Sequence, residues 1–106
     1  SSKESFKSIP TNPFPSIERD LSFSIEKTVP YKEITDTIFS VSHGRLLKDI
    51  SLFDLYEGKN INKGHHSLAL SFLFNSNSRT LVDDEIDKII DKIIKILKEK
   101  YNIVQR

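Results

Sequence analysis

Strict alternation of apolar and small polar residues marks the first structured stretch of the chain. In Asp20-Leu21-Ser22-Phe23-Ser24-Ile25 every second side chain is apolar, the period of a strand buried on one face. The period then lengthens. Pro30 stands where a helix can begin, and Tyr31, Ile34, Ile38 and Val41 recur at three- and four-residue steps until Gly44 offers a stop. From Leu47 to Tyr56 the apolar residues crowd together without helical spacing, which predicts a second strand partly covered on both faces, ending at Glu57-Gly58. The polar segment from Lys59 to Gly64 reads as a hairpin loop, because Ser67-Leu68-Ala69-Leu70-Ser71-Phe72-Leu73-Phe74 resumes the alternation behind it. Past the turn cluster Asn75-Ser76-Asn77-Ser78 comes the strongest pattern: Ile86, Ile89, Ile90, Ile93, Ile94, Leu97 and Tyr101 share one helical stripe. Asp83, Asp84 and Glu85 open this helix and Lys95, Lys98 and Lys100 close it, each sign suiting the helix dipole. Ile103-Val104 supplies a short last strand.

Strand, helix, strand, strand, helix, strand is the order of a ferredoxin-like α+β fold, βαββαβ, with a four-stranded antiparallel sheet and both helices on one face. The other face is left open. Alternation predicts which side chains stand there: Leu21, Phe23 and Ile25 turn toward the helices, so Ser22 and Ser24 turn away. By the same logic Leu68, Leu70, Phe72 and Phe74 point inward and Ser67, Ala69, Ser71 and Leu73 outward. In the second strand, sending Phe53 and Leu55 inward puts Leu52, Asp54 and Tyr56 on the open side. Residues 1–16 hold Pro10, Pro13 and Pro15 among Ser, Thr and Asn and read as a linker or strap, leaving 17–106 as the folded domain.

Composition narrows the function. No run approaches the ~20 apolar residues that span a bilayer, and the polar opening Ser1-Ser2-Lys3-Glu4-Ser5 has no signal-peptide core, so a cytoplasmic domain without membrane partner is expected. The absence of cysteine removes disulfides, thiolate nucleophiles and Cys-based metal sites. A formal net charge of +1 is low for a free-standing nucleic-acid binder, which gains affinity by releasing counterions. It suits a domain that a larger body tethers beside its RNA, where effective concentration replaces intrinsic affinity.

Several ordered pieces resemble one family, the ferredoxin-fold anticodon-binding domain of phenylalanine-tRNA ligases, in its bacterial beta-subunit form. They are Phe14-Pro15-Ser16-Ile17 with Arg19-Asp20-Leu21, Leu52-Phe53-Asp54-Leu55-Tyr56-Glu57-Gly58, Gly64 with Ser67-Leu68-Ala69, Arg79-Thr80-Leu81 with Asp83-Asp84-Glu85, and the terminal Arg106. Val82 departs from the pattern, standing where the family commonly places Ser or Thr as a helix cap, and Asp83 is expected to take over that role. The resemblance implies a non-catalytic part of an ATP-dependent aminoacyl-tRNA ligase: a domain that binds the anticodon stem-loop of phenylalanine tRNA while chemistry happens in the alpha subunit. It implies no cofactor in this domain, with ATP and magnesium used elsewhere in the parent enzyme. Its partners are then tRNA, the rest of the beta subunit and the alpha subunit, not DNA.

The same resemblance gives the open face a task. A floor of Ser22, Ser24, Ser67, Ala69 and Ser71 is small and polar enough to admit unstacked bases, although alternation alone is equally the mark of a solvated sheet face. Guanine presents two adjacent donors, N1-H and the N2 amine, which one carboxylate can accept together. Phenylalanine anticodons ordinarily begin with G, so Asp54 is the expected reader of that base, and Asp54→Ala should weaken binding by ~1–3 kcal/mol. Asp54 as a strand-end hydrogen-bonder to the backbone stays open as the alternative. Tyr56 is the single aromatic side chain predicted on this face, and it could equally pack on the loop. Lys59, Arg19 and Arg106 are candidate phosphate contacts.

Other chemistry finds little support. His65 and His66 are neighbours on a strand and point to opposite faces, which makes a shared metal a poor reading. Gly44, Gly58 and Gly64 all mark turns, so no glycine-rich phosphate loop is present. A ferredoxin-like hydrolase of the acylphosphatase type would need an anion-cradling loop after the first strand, and Glu26-Lys27-Thr28-Val29 does not resemble one. The rival from another class is a protein-interaction or small-ligand regulatory domain of the same fold.

Overall fold

A computed structural model describes residues 13–42 and 46–106. The elements follow in the expected order: β1 (Ile17–Glu26), α1 (Tyr31–Ser42), β2 (Leu47–Tyr56), β3 (His65–Phe74), α2 (Asp83–Tyr101) and β4 (Val104–Gln105). The first twelve residues of the strap and the Gly44 stop lie outside the described residues. The strands form one antiparallel sheet in the order β2-β3-β1-β4, which is the ferredoxin-like arrangement. The two longest alternating segments, β1 and β3, occupy its centre, where both of their edges are paired.

The core lies between sheet and helices. Leu21, Phe23 and Ile25 from β1 meet Leu68, Leu70, Phe72 and Phe74 from β3, and all are buried. Ile34 and Ile38 cover them from α1, and Ile86, Ile93 and Leu97 from α2. The helices are also tied to each other. The Tyr101 hydroxyl donates to the Glu33 carboxylate at 2.9 Å and lies 2.9 Å from Thr37 Oγ1, so a polar clasp joins the end of α2 to α1.

Helix α2 begins differently from the expectation. Its N-cap residue is Val82, whose side chain has no acceptor, so only the returning half of a capping box forms: Glu85 Oε2 accepts the Val82 N-H at 2.9 Å. Asp83 does not take the cap, because its carboxylate pairs with Arg19 at 2.8 Å. At the other end Asn102 adopts the left-handed conformation, φ 57°, and its N-H returns to the Lys98 carbonyl at 2.9 Å. Asparagine tolerates this conformation better than most residues, and it stops the helix one residue before the buried Ile103.

The second strand corrects the reading of its faces. Leu52 pairs with Leu70 and Asp54 with Ala69, so Phe53 is an extra residue without a partner, a β-bulge. A bulge resets the alternation: Leu52 and Leu55 share the helix side with Leu70 and Leu68, while Asp54 and Tyr56 stand on the open side. Leu52 was therefore assigned to the wrong face, and Phe53, expected inward, is 57% exposed. As β2 is the edge of the sheet, Leu52 and Leu55 stay partly accessible, lining a cleft of about 60 Å³ with Val29, Tyr31, Ile34, His66 and Leu68.

Candidate nucleic-acid interface

Cross-strand register assembles the open face row by row. Asp54, Ala69 and Ser22 form one row across β2, β3 and β1, and Tyr56, Ser67, Ser24 and Val104 form the next, across all four strands. Neighbouring strands lie ~4.8 Å apart and successive same-face residues ~7 Å, so these rows make a continuous small-residue floor with Asp54 and Tyr56 along one border. Neither helix covers it, since both pack on the opposite side of the sheet.

The polar groups on this floor are available. Asp54 is exposed and, among the described residues, its carboxylate has neither hydrogen-bond nor ion-pair partner, which removes the strand-end hydrogen-bonding alternative. The hydroxyls of Ser22, Ser24 and Ser67 are likewise unengaged among the described residues. Tyr56 is 46% exposed. Its ring lies over Gly58 at the mouth of the hairpin loop.

Three candidates lie off the floor. Arg19 pairs across the sheet with Phe72, which puts it on the helix side, and its guanidinium contacts Asp83 at 2.8 Å and Asp87 at 3.9 Å. It joins β1 to the first turn of α2 and takes no part in the open face. Arg106 follows β4, where its N-H donates to the Ser22 carbonyl at 2.8 Å and Nη1 reaches the Asn60 carbonyl at 3.3 Å. Arg106 thus borders the Asp54 row from the β4 side and reaches the hairpin loop, in which Lys59 also lies. The Lys27 ammonium meets the Glu57 carboxylate there, and the Lys27 N-H donates to the Gly64 carbonyl at 2.9 Å, fixing the loop against the end of β1.

The opposite end is acidic. Continuing along the register, Ser51, Ser71 and Asp20 form one further row, and Asp49, Leu73 and Glu18 the last. The open face therefore gathers carboxylates at this end, while at the other Glu26 shares the face beside the loop that carries Lys59. The sequence reading gave Glu18 and Asp20 no role. Their signal was present: they continue the period-two series of Ser22 and Ser24 toward the start of β1.

The histidines part company as expected. His65 stands opposite Glu26 on the open side, and His66 opposite the buried Ile25, its Nε2 lying without a partner at the small cleft. Among the described residues no group of three or more His, Cys, Asp or Glu is placed to hold a metal ion, and no helix is long and apolar enough to cross a membrane.

A two-layer α/β sandwich with one helix-free, small-residue sheet face defines the class, and comparison with known proteins gives the family. Residues 12–106 match the ferredoxin-fold anticodon binding domain, and the chain belongs to that family. Over 98 residues it is 44% identical to the phenylalanine-tRNA ligase beta subunit of Bacteroides fragilis, a match covering 92% of this chain and 12% of that protein. The beta subunit of Syntrophotalea carbinolica is 44% identical over 87 residues, 82% of this chain and 11% of that protein. That of Bacillus licheniformis is 32% identical over 97 residues, 92% of this chain and 12% of that protein. The chain thus spans about an eighth of the curated relatives it matches. The resemblance drawn from the ordered pieces is borne out, and with it the ferredoxin-like fold.

Proposed function

We propose that this chain is the anticodon-reading part of a phenylalanine-tRNA ligase beta subunit, and that its open sheet face holds the anticodon stem-loop of phenylalanine tRNA. The observation that carries the proposal is the unengaged Asp54 carboxylate beside a bare Ser/Ala floor, inside an anticodon-binding family. Asp54 accepts N1-H and the N2 amine of the first anticodon base, guanine, while Ser22 and Ser67 supply hydroxyls and Ala69 leaves room for the base to approach the sheet. Tyr56 offers one aromatic surface at the border. Arg106 and Lys59 meet phosphates at the loop end, and the carboxylates Glu18 and Asp20 disfavour phosphate at the other. The RNA backbone therefore crosses near the hairpin loop with its base edge directed toward Asp54.

Binding of this kind serves catalysis by placement. Holding the anticodon fixes the tRNA so that its acceptor end reaches an active site in the alpha subunit, where ATP and magnesium are used. The rest of the beta subunit supplies the tether that a near-neutral domain needs, in the cytoplasm where tRNA is charged.

A chemical-shift titration of this chain, at fixed salt, with a phenylalanine anticodon stem-loop and with one whose first base is adenine tests the reading. Shifts centred on Ser22, Asp54, Tyr56, Ser67 and Ala69, stronger for guanine, are expected. A small-ligand or protein-interaction role would instead engage the helix side, where a groove of about 590 Å³ runs past Lys32, Asp36, Thr37, Val41, Ile96 and Lys100. Equal response to both stem-loops, or none at the sheet face, overturns the proposal.

A further inference from the structure

Two residues after Asp54 the hydroxyl end of the Tyr56 ring rests on the backbone of Gly58. A Cβ added at Gly58 would lie 2.0 Å from Tyr56 Oη, 2.4 Å from Cζ and 2.9 Å from Cε2, well inside van der Waals contact. Backbone conformation does not demand the glycine, since among the described glycines a positive φ occurs only at Gly64. What demands it is the ring.

The seat itself is held in place. The Gly58 carbonyl accepts the N-H of Ile61 at 3.1 Å, closing a turn, and Ile61 is buried. Arg106 holds the next carbonyl but one, that of Asn60, at 3.3 Å. Of the two contacting groups, the exposed phenol is therefore the one free to move, and any side chain at position 58 would expel it from its seat by rotation about χ1. The ring would then stand over the floor, next to Ser67, in the space a base needs.

We propose that Gly58 is a positioning residue for RNA binding: by lacking a side chain it seats the Tyr56 ring against the loop, leaving the Asp54 row uncovered and presenting the ring at its border. This rests on the anticodon reading above and adds to it a residue that touches no RNA. It predicts a stability-neutral substitution with a binding defect, because displacing a half-exposed ring at a surface loop costs the fold little.

The test is a double-mutant cycle on this chain with Gly58→Ala, Tyr56→Ala and the pair, read by chemical-shift titration with the phenylalanine anticodon stem-loop. In the free protein, a nuclear Overhauser contact between Gly58 Hα and the Tyr56 Hε protons is expected. Each single variant should bind about fivefold more weakly or worse, from the lower end of base–aromatic stacking, with thermal unfolding still cooperative near the parent midpoint. The double variant should bind no worse than Tyr56→Ala. Absence of that contact, parent-like binding by Gly58→Ala, or strictly additive losses in the double variant overturns the proposal. If the parent discriminates the stem-loops while Tyr56→Ala binds normally, the anticodon reading stands and the role of Gly58 falls. If the parent binds neither stem-loop, both fall together.

Discussion

Replacing Asp54 by asparagine probes the reading mechanism with almost no change of shape. The carboxylate offers two acceptors to guanine N1-H and N2-H; the amide keeps one acceptor and turns a donor toward the other position, so one hydrogen bond becomes a repulsion. A good bidentate contact is worth ~1–3 kcal/mol of discrimination, or about 5- to 150-fold. Asp54 sits on an exposed edge strand where water competes for the same donors, which places the expected loss toward the lower end, near tenfold. Adenine has neither donor arrangement, so a stem-loop beginning with adenine should lose little when Asp54 is changed. The quantity to measure is the ratio of dissociation constants for the two stem-loops, in parent and in Asp54→Asn, at one salt concentration. A collapse of that ratio toward one is expected. An unchanged ratio, whatever the overall affinity, would show that the carboxylate does not discriminate the base and would refute the bidentate reading.

Other expectations follow from the same geometry. Arg79 grips Glu85 with two hydrogen bonds of 2.6 and 2.7 Å, and with the Val82 N-H this lowers the Glu85 pKa from an ordinary 4.5 to about 2. A folded-state pKa below the unfolded one stabilises fully above the unfolded value and is lost as pH falls through the folded one. The stability gap between parent and Glu85→Gln in urea melts should thus be constant above about pH 4.5 and close by about pH 2; a gap that widens on acidification would contradict the assignment. Phe72 is fully buried beside Phe74, and Phe72→Ala should cost about 3–5 kcal/mol, whereas the bulged, exposed Phe53→Ala should cost about 0.5 kcal/mol; equal costs would mean that the bulge is misplaced. Neutralising the acidic end with Glu18→Gln and Asp20→Asn should strengthen binding of unrelated RNA more than of the cognate stem-loop, since it removes a repulsion that only a misplaced backbone meets. A uniform gain for both would deny those carboxylates a part in orientation.

The central strands were legible because their alternation had no interruption: Ser22, Ser24, Ser67 and Ala69 stand where period two puts them. The long helix was equally plain, its stripe of isoleucines fitting no other period. The second strand was only half legible. Leu52-Phe53-Asp54-Leu55-Tyr56 offers two phases of alternation, and a bulge, which inserts one residue for reasons of local twist, leaves no mark in hydrophobicity. Assigning Asp54 and Tyr56 to the open side nevertheless succeeded, because the phase error fell before them. Arg19 shows a different limit. Basic residues near a suspected RNA face invite a phosphate role, and only tertiary placement revealed Asp83 as its partner, sixty-four residues away.

Charge is where sequence and structure together say more than either alone. A net +1 looks too weak for an RNA binder when averaged over the molecule. Resolved on the sheet, it becomes the carboxylates Asp49, Glu18 and Asp20 at one end, Asp54 and Arg106 on opposite borders of the middle, and Glu26 beside the loop that carries Lys59 at the other. Such a face gains little attraction at long range, because it carries no basic excess and each charge is screened beyond a Debye length of ~8 Å. At contact the carboxylates of the Glu18 end repel a phosphate placed beside them, which disfavours a polyanion there relative to one near Arg106. On the proposed reading, a domain built this way captures RNA poorly from solution and relies on a tether to deliver it. That division of labour accounts for the low net charge without requiring a hidden basic surface. On the same reading, specificity rests on the short-range geometry of Asp54 and its serine floor.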